Sequence, residues 1–270
     1  MIPSPFRSAA AGSELAAATS LLSGPLQARL SALYALSQDS PYVFASPLGP
    51  FHYGGRSAYV PRLVFFGPQA CDDSWRLSFL AGFDHRDLRA SRALLALVAG
   101  LAENADAGHG LSLSFFPLVD VAGLLIDAPD RGLASAHWGT TAAPEIRILE
   151  QDARGHGYHG FVRIETAPPP DDLVVIRVRQ PITRPLSPDV ELISSGETES
   201  YPVRFEAVPA DVPAKSGPLS ITDDLPLAPF ELTLRVPAAW ADHDYQRAVV
   251  VLLKHFLRRY RAFQAHGQHL

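Results

Sequence analysis

The residues best placed to do chemistry in this chain lie in LSFLAGFDHRDLRASRA, residues 77–93, where a short apolar strand runs into a glycine-containing turn ahead of a helix. The turn carries Asp84 and Asp87, with His85 between them. Carboxylates at such a turn are donors for a hard divalent cation such as Mg²⁺, Mn²⁺ or Ca²⁺. An imidazole would move the preference toward zinc, and a one-residue slip would pair His85 with Asp87. That slip puts both side chains on one side only if the segment is extended; a tight turn points His85 elsewhere. Other routes to chemistry are closed. No G-x-S-x-G elbow, P-loop or GxGxxG follows a strand. The single cysteine, Cys71, sits in a polar loop beside Asp72 and Asp73, a poor setting for a nucleophilic thiolate.

The elements around this turn read as alternating strands and helices. Residues 12–37 are helical in pattern, with Pro25 as a break and first position of a second short helix ending near Leu36. Strands are expected at 42–46 and 59–67, separated by the turn-rich GPFHYGG, and at 76–82. Leu88, Leu94, Leu95, Leu97, Val98 and Leu101 recur at helical spacing, and a strand follows at 111–119. Strand, helix and strand joined by short loops point to a parallel crossover and an α/β sheet. Further on, a helix is expected at 144–152, strands at 161–167, 172–178 and 229–236, and a long amphipathic helix at 242–264. The region 181–228, rich in Pro, Ser and Asp, carries only weaker strand signals at 190–194 and 201–208.

The remaining histidines read as ordinary loop or surface residues. His156 and His159 in GHGYHGF precede the strand at 161 and belong at its N-terminal end; His137 beside Trp138 reads as packing or surface. His243, His255, His266 and His269, on or after the last helix, read as solvent-exposed.

Composition limits the partners. With 270 residues and 47% hydrophobic content the chain can bury a large core, and with neither internal repeat nor clean linker it reads as one domain over 1–270, with 1–40 a helical N-terminal extension. A net charge of −5 without basic clusters argues against nucleic acid and anionic membrane surfaces. One cysteine rules out an intrachain disulfide and a thiolate metal cluster. No secretory pattern opens MIPSPFRSAAAG and no apolar run reaches roughly 18 residues, so a cytoplasmic protein is expected.

Four local patterns, in order, carry a resemblance. They are VFFGPQACDDSWRLSFLAGFDHRD, with its strand–AG–turn; FFPLVDVAG, similar to a strand leading to an Asn-Pro-x-Gly turn; HW and APEIRILE ahead of FVRIE; and PFELTLRVP before a final amphipathic helix. Together, over roughly residues 40–265, they resemble the zinc-dependent carboxypeptidase superfamily, near succinylglutamate desuccinylase and aspartoacylase. The resemblance implies a zinc-carboxypeptidase-like (phosphorylase/hydrolase-like) three-layer α/β sandwich with a mixed, mainly parallel sheet. In that family a His and a Glu at the strand–helix turn and a second His on a later strand hold zinc. An Asn-Arg pair and another Arg grip the substrate carboxylate, and a Glu on the last strand is the general base.

Carried onto this chain, the resemblance puts the three zinc-ligand positions at Asp84, Asp87 and Glu165. The Asn-Arg pair falls on Ala134 and Ser135, the general base on Arg235, and Arg131 is left as a carboxylate-binding arginine. Glu231 shares a strand face with Arg235 but lies about 13 Å away, too far to replace the base. Two readings of the acidic trio follow: a site for Mg²⁺, Mn²⁺ or Ca²⁺, or an internal salt-bridge cluster around Arg235. Like charges ~4 Å apart repel by about 4 kcal/mol at an effective dielectric of ~20, so the trio needs a cation. Arg235 supplies one permanently, which favours the salt-bridge reading. The expectation is a pseudo-peptidase without zinc that binds a peptide, an amino-acid derivative or a protein partner. The alternative is a metal-dependent carboxypeptidase or amidase with an acidic ligand set.

Overall fold

Apolar strands that read as near-continuous hydrophobic runs belong in the middle of a covered sheet, and that is where this chain puts them. A computed structural model describes residues 24–72, 74–129, 131–179, 201, 203–208, 212 and 229–267. The expected helix before residue 24, the weak strand at 190–194, most of 181–228, and His269 lie outside the described residues. In chain order the elements are α1 (Gly24–Asp39), β1 (Val43–Ala45), β2 (Leu48–Tyr53), β3 (Arg56–Val60), β4 (Leu63–Phe66), β5 (Trp75–Leu80), α2 (Arg89–Glu103) and β6 (Leu111–Phe116). There follow α3 (Val121–Ile126), α4 (Pro144–His156), β7 (Gly160–Ala167), β8 (Val174–Arg179), β9 (Val203–Val208), β10 (Phe230–Pro237) and α5 (Asp242–Gly267).

Eight strands form one sheet in the order β1-β4-β6-β5-β7-β10-β8-β9. The centre, β6-β5-β7-β10, is parallel throughout, and β8 joins it antiparallel to β10. At the other edge β4 and β1 are antiparallel additions. The result is the mixed, mainly parallel α/β sheet expected. Phe79 of β5 and Phe115 of β6, both fully buried, stack with centroids 5.0 Å apart, a pairing worth about 0.5–1.5 kcal/mol beyond its burial. Helix α2 packs against both α1 and α5, and α3 and α4 pack with the β2–β3 hairpin. The core face of α5 holds Val249, Leu252, Leu253, Phe256, Leu257 and Tyr260.

Three expectations need correction. The segment GPFHYGG is not a plain connector: Leu48–Tyr53 pairs antiparallel with Arg56–Val60 around Gly54 and Gly55, both at positive φ. Two consecutive left-handed residues are what a tight hairpin turn demands, and the glycine and proline content hid the strand. The expected strand 59–67 is two strands, because Pro61 has no N–H for a ladder and Arg62 turns inward to the buried Asp152. His255 is buried rather than exposed: at the edge of the apolar arc of α5 it lines a small cavity with Ile176, Leu232, Leu234 and Phe256. Among the described residues, no helix is long and apolar enough to cross a membrane.

Candidate functional site

In an open α/β sheet the natural crevice lies beyond the carboxyl ends of the strands, where consecutive connections leave in opposite directions. Here that point is β5, since the chain moves from β5 to β6 on one side and returns to β7 on the other. The loops after β5 and β6 are stitched together there. The Val119 and Asp120 N–H groups donate to the Gly82 carbonyl at 3.1 and 2.8 Å. Gly82 has φ +67°, and a Cβ on it would sit 2.6 Å from Ser91 Oγ and 2.8 Å from the Pro117 carbonyl, so only glycine fits.

This stitching sets Asp120 against His85. Asp120 has no exposed surface. Its Oδ2 accepts from the His85 N–H at 3.2 Å and lies 2.7 Å from His85 Nδ1. Its Oδ1 accepts from the Gly123 N–H at 3.1 Å and from Arg131 at 2.7 Å. Four donors match the roughly four lone-pair positions of an ionised carboxylate. Asp120 is therefore saturated, and because it only accepts, the His85 proton sits on Nδ1. Arg131 also bonds the fully buried Glu145 in the first turn of α4, and lies over the Tyr53 ring at 5.2 Å. Burial pulls this guanidinium's pKa down, and Glu145 and Asp120 more than compensate, so it is held charged.

The sequence-derived positions separate into distinct environments. Asp84 Oδ1 accepts from the Arg86 N–H at 2.9 Å, closing the turn. Asp87 is gripped by the Arg89 guanidinium, with both oxygens at 2.9 Å, and its Oδ1 also accepts from the Arg89 N–H at the start of α2. Burial pushes the Asp87 carboxyl up, but the hydrogen bonds from Arg89 and Thr166 outweigh it and hold it below the usual aspartate range. Glu165 pairs with Arg163 at 3.2 Å, whose guanidinium is buried over the Phe83 ring at 4.3 Å and donates to the Ala134 carbonyl. Arg235 is the register neighbour of Glu165 and reaches Asp171 at 3.7 Å. Ser135 turns its hydroxyl to the Gly132 carbonyl. His159 sits at the N-terminal end of β7, against the start of β5, where its Nδ1 accepts from the Arg76 N–H at 3.0 Å.

Among the contacts described, Asp87 is held by Arg89 and Glu165 pairs with Arg163, each two residues along the chain. The trio Asp84, Asp87 and Glu165 does not present three open donors, and its donor set does not fit the zinc that the fold implies. A different cluster does come together: one donor atom each from Asp84, His85 and Asp120 lies within 4.8 Å of the others. Sequence reasoning passed over Asp120, although it occupies the Asn position of the turn pattern in FFPLVDVAG. It also passed over Glu145, whose signal was an acid directly after Pro144 at a helix start.

No family model matches the chain, and no curated protein matches it in sequence. Solved structures do match. A metallo-carboxypeptidase from Burkholderia cenocepacia superposes with a TM-score of 0.64 at 15% identity, over 86% of this chain and 68% of that one. A metallo-carboxypeptidase from Pseudomonas aeruginosa gives 0.54 at 16% identity, over 84% and 67%. An aspartoacylase family protein from Mesorhizobium loti gives 0.51 at 12% identity, over 80% and 68%. At such identities the likeness is one of fold. The chain has the carboxypeptidase-like α/β fold that its sequence resembles.

Proposed function

We propose that this carboxypeptidase-fold chain has given up zinc-dependent hydrolysis and works by binding a peptide, an amino-acid derivative or a protein partner. The observation that carries the reading is the Asp87–Arg89 fork, with both carboxylate oxygens at 2.9 Å from guanidinium nitrogens. A metal ligand must turn a lone pair toward the ion, and doing so here would displace at least one charge-assisted bond worth about 1.5–3 kcal/mol. Glu165 adds the same obstacle through Arg163. At the general-base position Arg235 is a permanent cation with no acceptor atom, so it cannot take a proton from water. The ion pairs of Asp87 and Glu165 at the carboxyl ends of β5 and β7 speak against a water-activating set there.

Turnover decides this. Purified protein supplied with Zn²⁺, Mn²⁺ or Mg²⁺ is assayed on peptides with free C-termini and on N-acyl amino acids. The expected result is no hydrolysis above the buffer blank. Chelator-sensitive hydrolysis that disappears on Asp87→Asn or Glu165→Gln overturns the reading.

A further inference from the structure

We infer that His85 and Asp127 form a binding site for a first-row divalent cation such as Zn²⁺, displaced from the positions the family would use. The His85 side chain is 4% exposed, and its Nε2 is buried without a hydrogen-bond partner. Its other ring nitrogen is fixed on the Asp120 carboxylate at 2.7 Å. An imidazole anchored through one N–H to a carboxylate, with the second nitrogen bare, is how a metal-ligating histidine is held. Nε2 faces Asp127 Oδ1, 3.7 Å away.

Ligands at ordinary zinc distances of about 2.0–2.2 Å stand roughly 3.3 Å apart in a tetrahedron. Asp127 needs to move only a few tenths of an ångström, and its side chain is 91% exposed at the left-handed C-terminus of α3. An Asp84 carboxylate oxygen lies within 4.8 Å of a His85 ring nitrogen and of Asp120, and adds negative charge beside the ring. Asp120 has no lone pair to give, so it positions His85 and does not ligate.

Charge agrees with this assignment. Asp120 and Glu145, both without exposed surface, share the single cation Arg131. With Asp84 and Asp127 added and Arg86 counted at 3.9 Å from Asp127, four carboxylates face two guanidiniums. The described groups leave an excess of two negative charges beside a bare imidazole nitrogen, which a divalent cation neutralises. An imidazole with a carboxylate suits Zn²⁺, Co²⁺ or Ni²⁺ better than Mg²⁺ or Ca²⁺.

Equilibrium dialysis of the full chain against ZnCl₂ or CoCl₂, with metal analysis and the visible absorption of Co²⁺, tests the site. One equivalent is expected. His85→Gln should weaken binding by at least about 10–100-fold, the scale seen when the shell of a metal site is damaged. Asp127→Asn, at an exposed position that cannot unfold the chain, should weaken it by about 10-fold. His243→Ala, an exposed control, should change nothing. Absence of stoichiometric binding overturns the site, as does binding indifferent to His85→Gln or to Asp127→Asn. Failure here leaves the non-hydrolytic reading intact, because turnover alone decides that one.

Discussion

Replacing Asp120 by Asn changes one atom and tests the architecture of the whole site. The carboxylate now accepts four hydrogen bonds, from the His85 N–H, His85 Nδ1, the Gly123 N–H and Arg131. An amide has one oxygen, and its NH₂ group would face donors whichever way it turned. Two of the four donors lose their acceptor in a site without exposed surface, at about 1–3 kcal/mol each. Arg131 keeps Glu145, which limits the loss. The expected cost is about 2–5 kcal/mol, or roughly 5–15 °C in Tm at 2–4 °C per kcal/mol for a domain of this size. If the amide NH₂ meets His85 Nδ1, the ring proton moves to Nε2 and the metal-binding lone pair is lost, so zinc affinity should fall together with stability. Urea and thermal unfolding measure the first effect and dialysis the second. A variant within about 0.5 kcal/mol of the parent would refute the saturated-carboxylate argument.

Other outcomes follow from the same contacts. Gly82→Ala should destabilise by at least about 2 kcal/mol or abolish folding, because left-handed backbone and contacts under 3 Å act together; an unchanged urea midpoint would contradict the close approach. Burial, with the Arg76 charge nearby, pushes the His159 pKa down to about 4. The stability it contributes is therefore present above the ordinary histidine value near 6.5 and lost as pH falls from there toward 4. A His159→Gln variant should flatten that part of the pH–stability curve. His156 acts in the opposite sense: its hydrogen bond to Asp152 raises its pKa against burial, so its contribution is present below the ordinary histidine value and lost as pH rises through the raised one. The stabilities of the parent and of Asp87→Asn should differ above the usual aspartate range and converge below it, since the lowered Asp87 pKa gives stability that is present above that range and lost as pH falls through the folded value.

Much of the fold was legible because its strands and helices announce themselves locally. The repeat of Leu94, Leu97, Val98 and Leu101 marks the buried face of α2, and the runs of β5 and β6 mark doubly covered strands. The hairpin at Leu48–Tyr53 was not legible, because glycine and proline signal turns more strongly than a half-exposed edge ladder signals strand. At the site, the pattern put Asp84, Asp87 and Glu165 at the carboxyl ends of the strands and gave them Arg235 as their cation, whereas the ion pairs described are with Arg89 and Arg163. That assignment weighed sheet position and missed sequence distance: Arg89 and Arg163, each two residues from its carboxylate, need no long-range geometry to pair. The role of His85 depended on Asp120, which reaches it only because the loops after β5 and β6 bond to each other at Gly82.

Anomalous X-ray scattering at the zinc absorption edge, from crystals of the protein equilibrated with Zn²⁺, tests the central claim most directly. The account predicts a peak about 2.0–2.2 Å from His85 Nε2, with Asp127 beside it and with the Arg89 and Arg163 ion pairs intact. A peak ligated by Asp87 and Glu165, with those two arginines swung away, would contradict it.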